Sequence, residues 1–187
     1  ASLLLLLSTA GARGERIEID TGADPGSRLE IRNVELPGGE QVQLYVIEGQ
    51  EVRVTVGEQL IVASHIEVDL ANRVVRIVGE GSLTTPEQAV TGSDLVIELE
   101  DESLTGRDVL IVTEAIDVQG AKASRSPGMF DISEGSFSPC SRCGQAVEDY
   151  GFEARRIELY PGDRLVAYDV TLLIRGRRTL NLPLMVV

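Results

Sequence analysis

Apolar and polar residues alternate along this chain, and that alternation limits what it can fold into. Arg16-Ile17-Glu18-Ile19-Asp20, His65-Ile66-Glu67-Val68-Asp69 and Arg156-Ile157-Glu158-Leu159-Tyr160 are examples. A period of two puts every second side chain on the same face of an extended strand, so these runs read as strands with one face buried and one wet. Gly, Asn, Asp or Pro separate them. Helical spacing is not sustained over eleven residues anywhere; the nearest approach, Glu148 to Arg156, contains Gly151. The chain is expected to be all-β.

The strands repeat. Ala63-Ser64-His65-Ile66-Glu67-Val68-Asp69, Gly92-Ser93-Asp94-Leu95-Val96-Ile97-Glu98 and Ala154-Arg155-Arg156-Ile157-Glu158-Leu159-Tyr160 each open on a small residue. An aliphatic follows three positions on, a second one two later, then a polar turn and another strand. Hairpins that cannot bury a face alone must stack or fold over one another, as in a jelly roll, an open V-shaped sandwich or a solenoid. The inner face is expected to carry Ile66, Val68, Val75, Ile77, Leu95, Ile97, Leu99, Ile157 and Leu159. Glu67, Asp69, Glu98, Glu100 and Glu158 are expected to face water. Residues 13–57 look like weaker copies, 58–187 form the main repeat, and the Gly-, Ser- and Pro-rich stretch 120–151 reads as a long connection around a short strand near Met129 to Ile132.

Two short segments bear on where the protein works. Ser2 to Ala12 reads SLLLLLSTAGA, an apolar core followed by small residues in the pattern of a secretory signal; the other readings are an N-terminal strand or a fragment of a membrane anchor. Cys140 and Cys143 form a Cys-x-x-Cys between Pro139 and Gly144. Without a second pair they do not complete a structural zinc site, and no helix follows as a thioredoxin-type motif requires. In an exported chain a small disulfide loop is the ordinary outcome; pairing with cysteines elsewhere in a longer chain is the alternative.

Composition removes several function classes. With 17 basic and 30 acidic residues the net charge is -13, unsuited to nucleic acid, whose phosphates need clustered Lys and Arg. Aromatics are 4% of the chain with no Trp, which leaves little for stacking platforms. The single histidine, His65, is expected to point outward into solvent, and alone it makes a His-based metal site or a Ser-His-Asp triad hard to assemble. The acidic run Glu98 to Glu102 lacks the spacing of a calcium loop and reads as an exposed turn. No enzyme activity, metal or cofactor is expected.

The repeat at Ala63 to Leu83, Gly92 to Val112 and Ala154 to Ile174 resembles the OstA-like periplasmic β-jellyroll family of lipopolysaccharide transport. The likeness is most specific toward the C-terminus, where Pro139-Cys140-Ser141-Arg142-Cys143, Ala154 to Ile157, Tyr168-Asp169-Val170, Gly176 and Leu182-Pro183 follow the pattern of a domain that precedes an outer-membrane β-barrel. The resemblance implies an open β-jellyroll in the periplasm or at the outer membrane. It implies a groove for lipopolysaccharide or a related envelope lipid, lined by the nine inner-face aliphatics. It also implies edge-to-edge docking with similar jellyrolls, and a β-barrel partner in the same or another chain. The chain departs from the family pattern in having Leu184-Met185 where aromatics usually follow Leu-Pro. The rival expectation, from a different class, is a structural or self-assembling envelope β-repeat that binds no lipid.

Overall fold

A computed structural model describes residues 4–8, 16–21, 25–35, 41–138 and 150–187 of the protein. Strands dominate: β1 (Leu4–Ser8), β2 (Arg16–Asp20), β3 (Arg28–Glu35), β4 (Gln41–Val56), β5 (Gln59–Asp69), β6 (Val74–Ile77) and β7 (Glu80–Thr84) are followed by seven more. These are β8 (Gln88–Glu98), β9 (Ser103–Thr113), β10 (Asp117–Ser126), β11 (Met129–Ser138), β12 (Tyr150–Tyr160), β13 (Arg164–Ile174) and β14 (Arg177–Val186). The protein is all-β, with no helix among the described residues. The leucine run forms β1, antiparallel to β2. Cys140 and Cys143 lie outside the described residues.

The chain divides into two compact units, one of residues 1–86 and 93–101, the other of 87–92 and 102–187. In unit 1 the hydrogen-bonded order is β1-β2-β4-β5-β6 with the second half of β8, while β3 pairs with β4 and β7 with β5. The boundary expected at residues 57 and 58 is the tight turn between β4 and β5, within this unit. In unit 2 the order is β9-β10-β11-β12-β13-β14, each antiparallel to its neighbour. Tight turns join most of these consecutive strands, as at β9 to β10, β10 to β11, β12 to β13 and β13 to β14. Pro161-Gly162 joins β12 to β13; Pro161 presets its own φ, Gly162 adopts φ 76°, and the Asp163 amide donates to the Tyr160 carbonyl at 3.0 Å.

Residues 120–151 hold more strand than the long connection around a short strand near Met129 to Ile132 that composition led one to expect. They hold the greater part of β10, all of β11 and the start of β12. The glycines there mark a row in which the strands lose their pairing. The ladder skips Asp108 and Ala121, Ala121 and Glu134, Glu134 and Arg155, Arg155 and Asp169, then Asp169 and Pro183. Each strand thus carries one residue outside the ladder, and the row crosses β9 to β14. Asp108, Glu134 and Asp169, on alternate strands, take φ of 49°, 50° and 53°. The extra residue resets the alternation, so the arms on both sides of the row keep their apolar residues on one face. Pro183 sits where no ladder hydrogen bond is required, the position at which a strand tolerates proline.

On the inner side of this row only small residues fit. A Cβ on Gly120 would lie 2.1 Å from Ile132 Cγ2. Ala154 and Ala167 are buried nearby in sequence register on β12 and β13. Unit 1 has a related break: β5 passes from Ala63 through Ser64 and His65 to Ile66, and a Cβ on Gly81 would meet Ala63 Cβ at 2.9 Å. There Asp94 accepts from the Gly79 amide at 3.0 Å, and its own amide donates to the Gly79 carbonyl at 2.8 Å. The recurring sequence pattern of a small residue with an aliphatic three positions on is therefore the signature of these breaks.

Candidate functional site

All nine expected inner-face residues are buried, at 0–6% exposure. Seven belong to unit 1. There Ile66 stands opposite Ile77, and Val68, Val75 and Ile97 form one cross-strand row. Leu95 and Leu99 are buried in the same unit. Ile157 and Leu159 belong to unit 2. Of the residues expected to face water, Glu98 and Glu100 do so, while Glu67 and Glu158 are half-buried. Asp69 is a correction: it is buried at the end of β5, where its carboxylate accepts from the Asn72 amide at 3.0 Å and from Asn72 Nδ2 at 2.8 Å. A carboxylate that closes its own turn in this way satisfies its oxygens locally and loses the need for water. His65 lies partly covered between Glu48 and Glu67, with nitrogen-to-oxygen distances of 3.6 and 3.8 Å, rather than free in solvent.

The two predicted residues of unit 2 are the deep ends of rows that come out into the open. One row runs Ile132, Ile157, Ala167 to Met185, and the next Phe130, Leu159, Leu165 to Val187. Ile157 and Leu159 are 0% and 2% exposed; Met185 is half-buried and Val187 is 47% exposed. The rows beyond the unpaired row behave likewise, with buried Ala154 and Val170 leading to half-buried Leu182, and Phe152 and Leu172 leading to exposed Leu180. The apolar inner face therefore continues to β14, and among the described residues it becomes progressively more exposed there. Among the described residues β14 pairs only with β13, so its outer edge is unpaired.

The opposite face carries a polar cluster on β11, β12 and β13. Arg156 lies between Asp131 at 2.7 Å and Glu158 at 3.1 Å, and the hydrogen bonds to Asp131 hold its guanidinium well above the ordinary arginine range. Tyr168 and Tyr160 both donate to Glu158 Oε2, at 3.3 and 3.4 Å. Burial, and then the Glu158 carboxylate, push the Tyr168 phenol up. Among the described residues, clefts of about 690 and about 380 Å³ open on unit 2, and none of the nine predicted residues lines either. Among the described residues no group of three or more His, Cys, Asp or Glu side chains is placed to hold a metal ion, and no helix is long and apolar enough to cross a membrane.

Sequence reasoning missed the gradient of burial toward β14. Its only local signal was Leu180 to Val187, where aliphatics crowd one strand without the usual polar alternation. Comparison with models of known protein families finds no match, and no curated protein matches the chain.

Proposed function

We propose that the protein is an exported envelope module that holds the acyl chains of lipopolysaccharide or a related lipid on the open apolar face of unit 2. In this reading it docks through the free edge of β14 to another β-module, in the manner of the OstA-like jellyrolls it resembles. The observation that carries the reading is the passage of the Ile157 and Leu159 rows from a buried interior to half-buried Met185 and exposed Val187. An apolar surface of this kind needs no special chemistry to hold a lipid, because each methylene taken out of water contributes about 0.8 kcal/mol. The unpaired edge beside it offers backbone hydrogen bonds for strand addition. Export to the periplasm or outer membrane is part of this reading, on the signal-like pattern of Ser2 to Ala12, although Leu4–Ser8 pairs with β2 as a strand.

The test is photocrosslinking to a lipid A-like amphiphile. A photoreactive residue at Leu182 or Met185, on the inner face, is expected to label. One at Leu184 or Val186, on the other face of the same strand, is expected not to. Equal labelling of both faces would mean general stickiness and would defeat the lipid reading. A second reading, self-assembly without lipid, draws on Leu184 and Val186, which are 51% and 59% exposed although a lipid surface on the inner face has no use for them. It predicts concentration-dependent oligomers in sedimentation velocity that added amphiphile does not alter.

A further inference from the structure

Charge changes sign near the end of this sequence. None of the 30 acidic residues lies after Asp169, whereas Arg175, Arg177 and Arg178 all do. The fold gathers these three at one tip of unit 2. β13 and β14 meet in a two-residue turn, Arg175 and Gly176, whose φ of 50° and 72° are both left-handed, as a tight hairpin requires. Arg175 therefore stands at the point of the hairpin, with Arg177 and Arg178 beside it.

One face of this tip is apolar. Tyr150, Ile174 and Arg177 are cross-strand neighbours, and Phe152, Leu172 and Leu180 form the next row. A register shift gives β14 one extra residue between the two rows, so Arg177 and Leu180 come out on the same face. Tyr150, Ile174 and Leu180 are 38%, 45% and 50% exposed. Tyr150 packs edge-on against Phe152, which stacks on buried Phe137 at 5.1 Å, so the exposed ring has a firm backing. Exposed aliphatic and aromatic groups among arginines suit a membrane interface: the apolar parts enter the acyl boundary while guanidinium groups stay at the phosphates.

The neighbouring acidic groups do not cancel this charge. Arg178 meets Glu153 at 3.0 Å, but the two side chains are 76% and 44% exposed, and such a pair is weak enough to give way to a bidentate phosphate. Asp169 lies six residues back along β13, about 20 Å, and Asp117 three strands away, about 14 Å along the sheet. Both exceed the screening length of about 10 Å at 0.1 M salt.

We propose that the β13–β14 tip docks unit 2 on an anionic bilayer, with Tyr150, Ile174 and Leu180 in the interface and Arg175, Arg177 and Arg178 on lipid phosphates. This surface adjoins the acyl-chain face but does not depend on it, and either can fail alone.

The test is flotation of the whole chain, in about 0.1 M salt, with vesicles of phosphatidylcholine alone or with one-third phosphatidylglycerol. The anionic vesicles are expected to carry several-fold more protein, against the direction that a net charge of -13 by itself dictates. Arg175→Gln, Arg177→Gln and Arg178→Gln together should weaken binding at least about tenfold, since one basic residue at such a surface is worth about a factor of five. Arg28→Gln, Arg32→Gln and Arg53→Gln, in unit 1, should leave it unchanged. The chain has no Trp, so Tyr150→Trp supplies a single reporter that keeps the three arginines. Its emission should shift to the blue on anionic vesicles, while that of Tyr160→Trp, at the other end of β12, should not. No preference for anionic vesicles, equal loss in the unit 1 variant, or equal shifts at the two tryptophans would each overturn the proposal. The tip variant should still be labelled at Leu182 by the lipid A-like amphiphile; loss of that labelling would assign the arginines to the acyl-chain site and defeat a separate docking surface.

Discussion

A Cβ added to Gly135 would lie 2.7 Å from the Gln119 carbonyl oxygen and 2.7 Å from Ile157 Cδ1, and the backbone oxygen cannot swing aside. Gly135→Ala is therefore expected to destabilise the protein by about 1–3 kcal/mol, the usual cost of overpacking, read as a lower midpoint in urea denaturation. Gly151, with open space around its Cβ position, should accept alanine within about 0.5 kcal/mol and serves as the control. Tyr168 gives a pH-dependent test. Its phenol is held above the ordinary value of 10.0 by burial and then by the Glu158 carboxylate, so the folded protein keeps this proton longer than the unfolded chain does. The stabilisation is complete below pH about 10 and is lost as pH rises through the folded value. In an ultraviolet titration one tyrosine should ionise late, and Tyr168→Phe should remove that phase and make the alkaline loss of stability shallower.

At the scale of the strand, β14 combines an unpaired edge with aliphatics on both faces. A long apolar edge is a template for further pairing, and a charge on it is the usual way to discourage that. Leu184→Lys is expected to change stability by no more than about 0.5 kcal/mol, since the side chain is half in water already. It should sharply reduce any association seen in sedimentation. Undiminished association would move the docking surface away from β14. Pro183→Ala, in the row that makes no ladder hydrogen bonds, should be nearly neutral in thermal melts. The strand alternation was legible from residue order because it depends only on neighbours along the chain. The stretch 120–151 was misread because Ala121-Lys122 and Ser133-Glu134 place two exposed residues in succession, which breaks a period of two. The same small-x-x-aliphatic spacing that marked Ala63 to Ile66 also occurs at Gly106 to Val109, and Gly120 to Ala123 keeps it with alanine in the aliphatic place; that was the available clue.

Across the whole molecule, 30 acidic groups face 17 basic ones, so self-repulsion opposes compactness at low ionic strength. Raising salt from about 0.01 to 0.15 M shortens the screening length from about 30 to about 8 Å. The melting temperature is expected to rise by a few degrees over that range. A fall would show that surface pairs such as Arg156 with Asp131 outweigh the repulsion. Residue order alone sufficed for the strand class and for the burial of Ile66, Val68, Ile157 and Leu159, because a side chain's face follows from its parity within a strand. It did not reveal that the Ile157 and Leu159 rows emerge uncovered at β14, or that Asp108, Glu134 and Asp169 fall into one line. Both depend on which strands become neighbours and in what register. Hydrogen bonds between one strand and the next fix that register, and no pattern within a single strand records it.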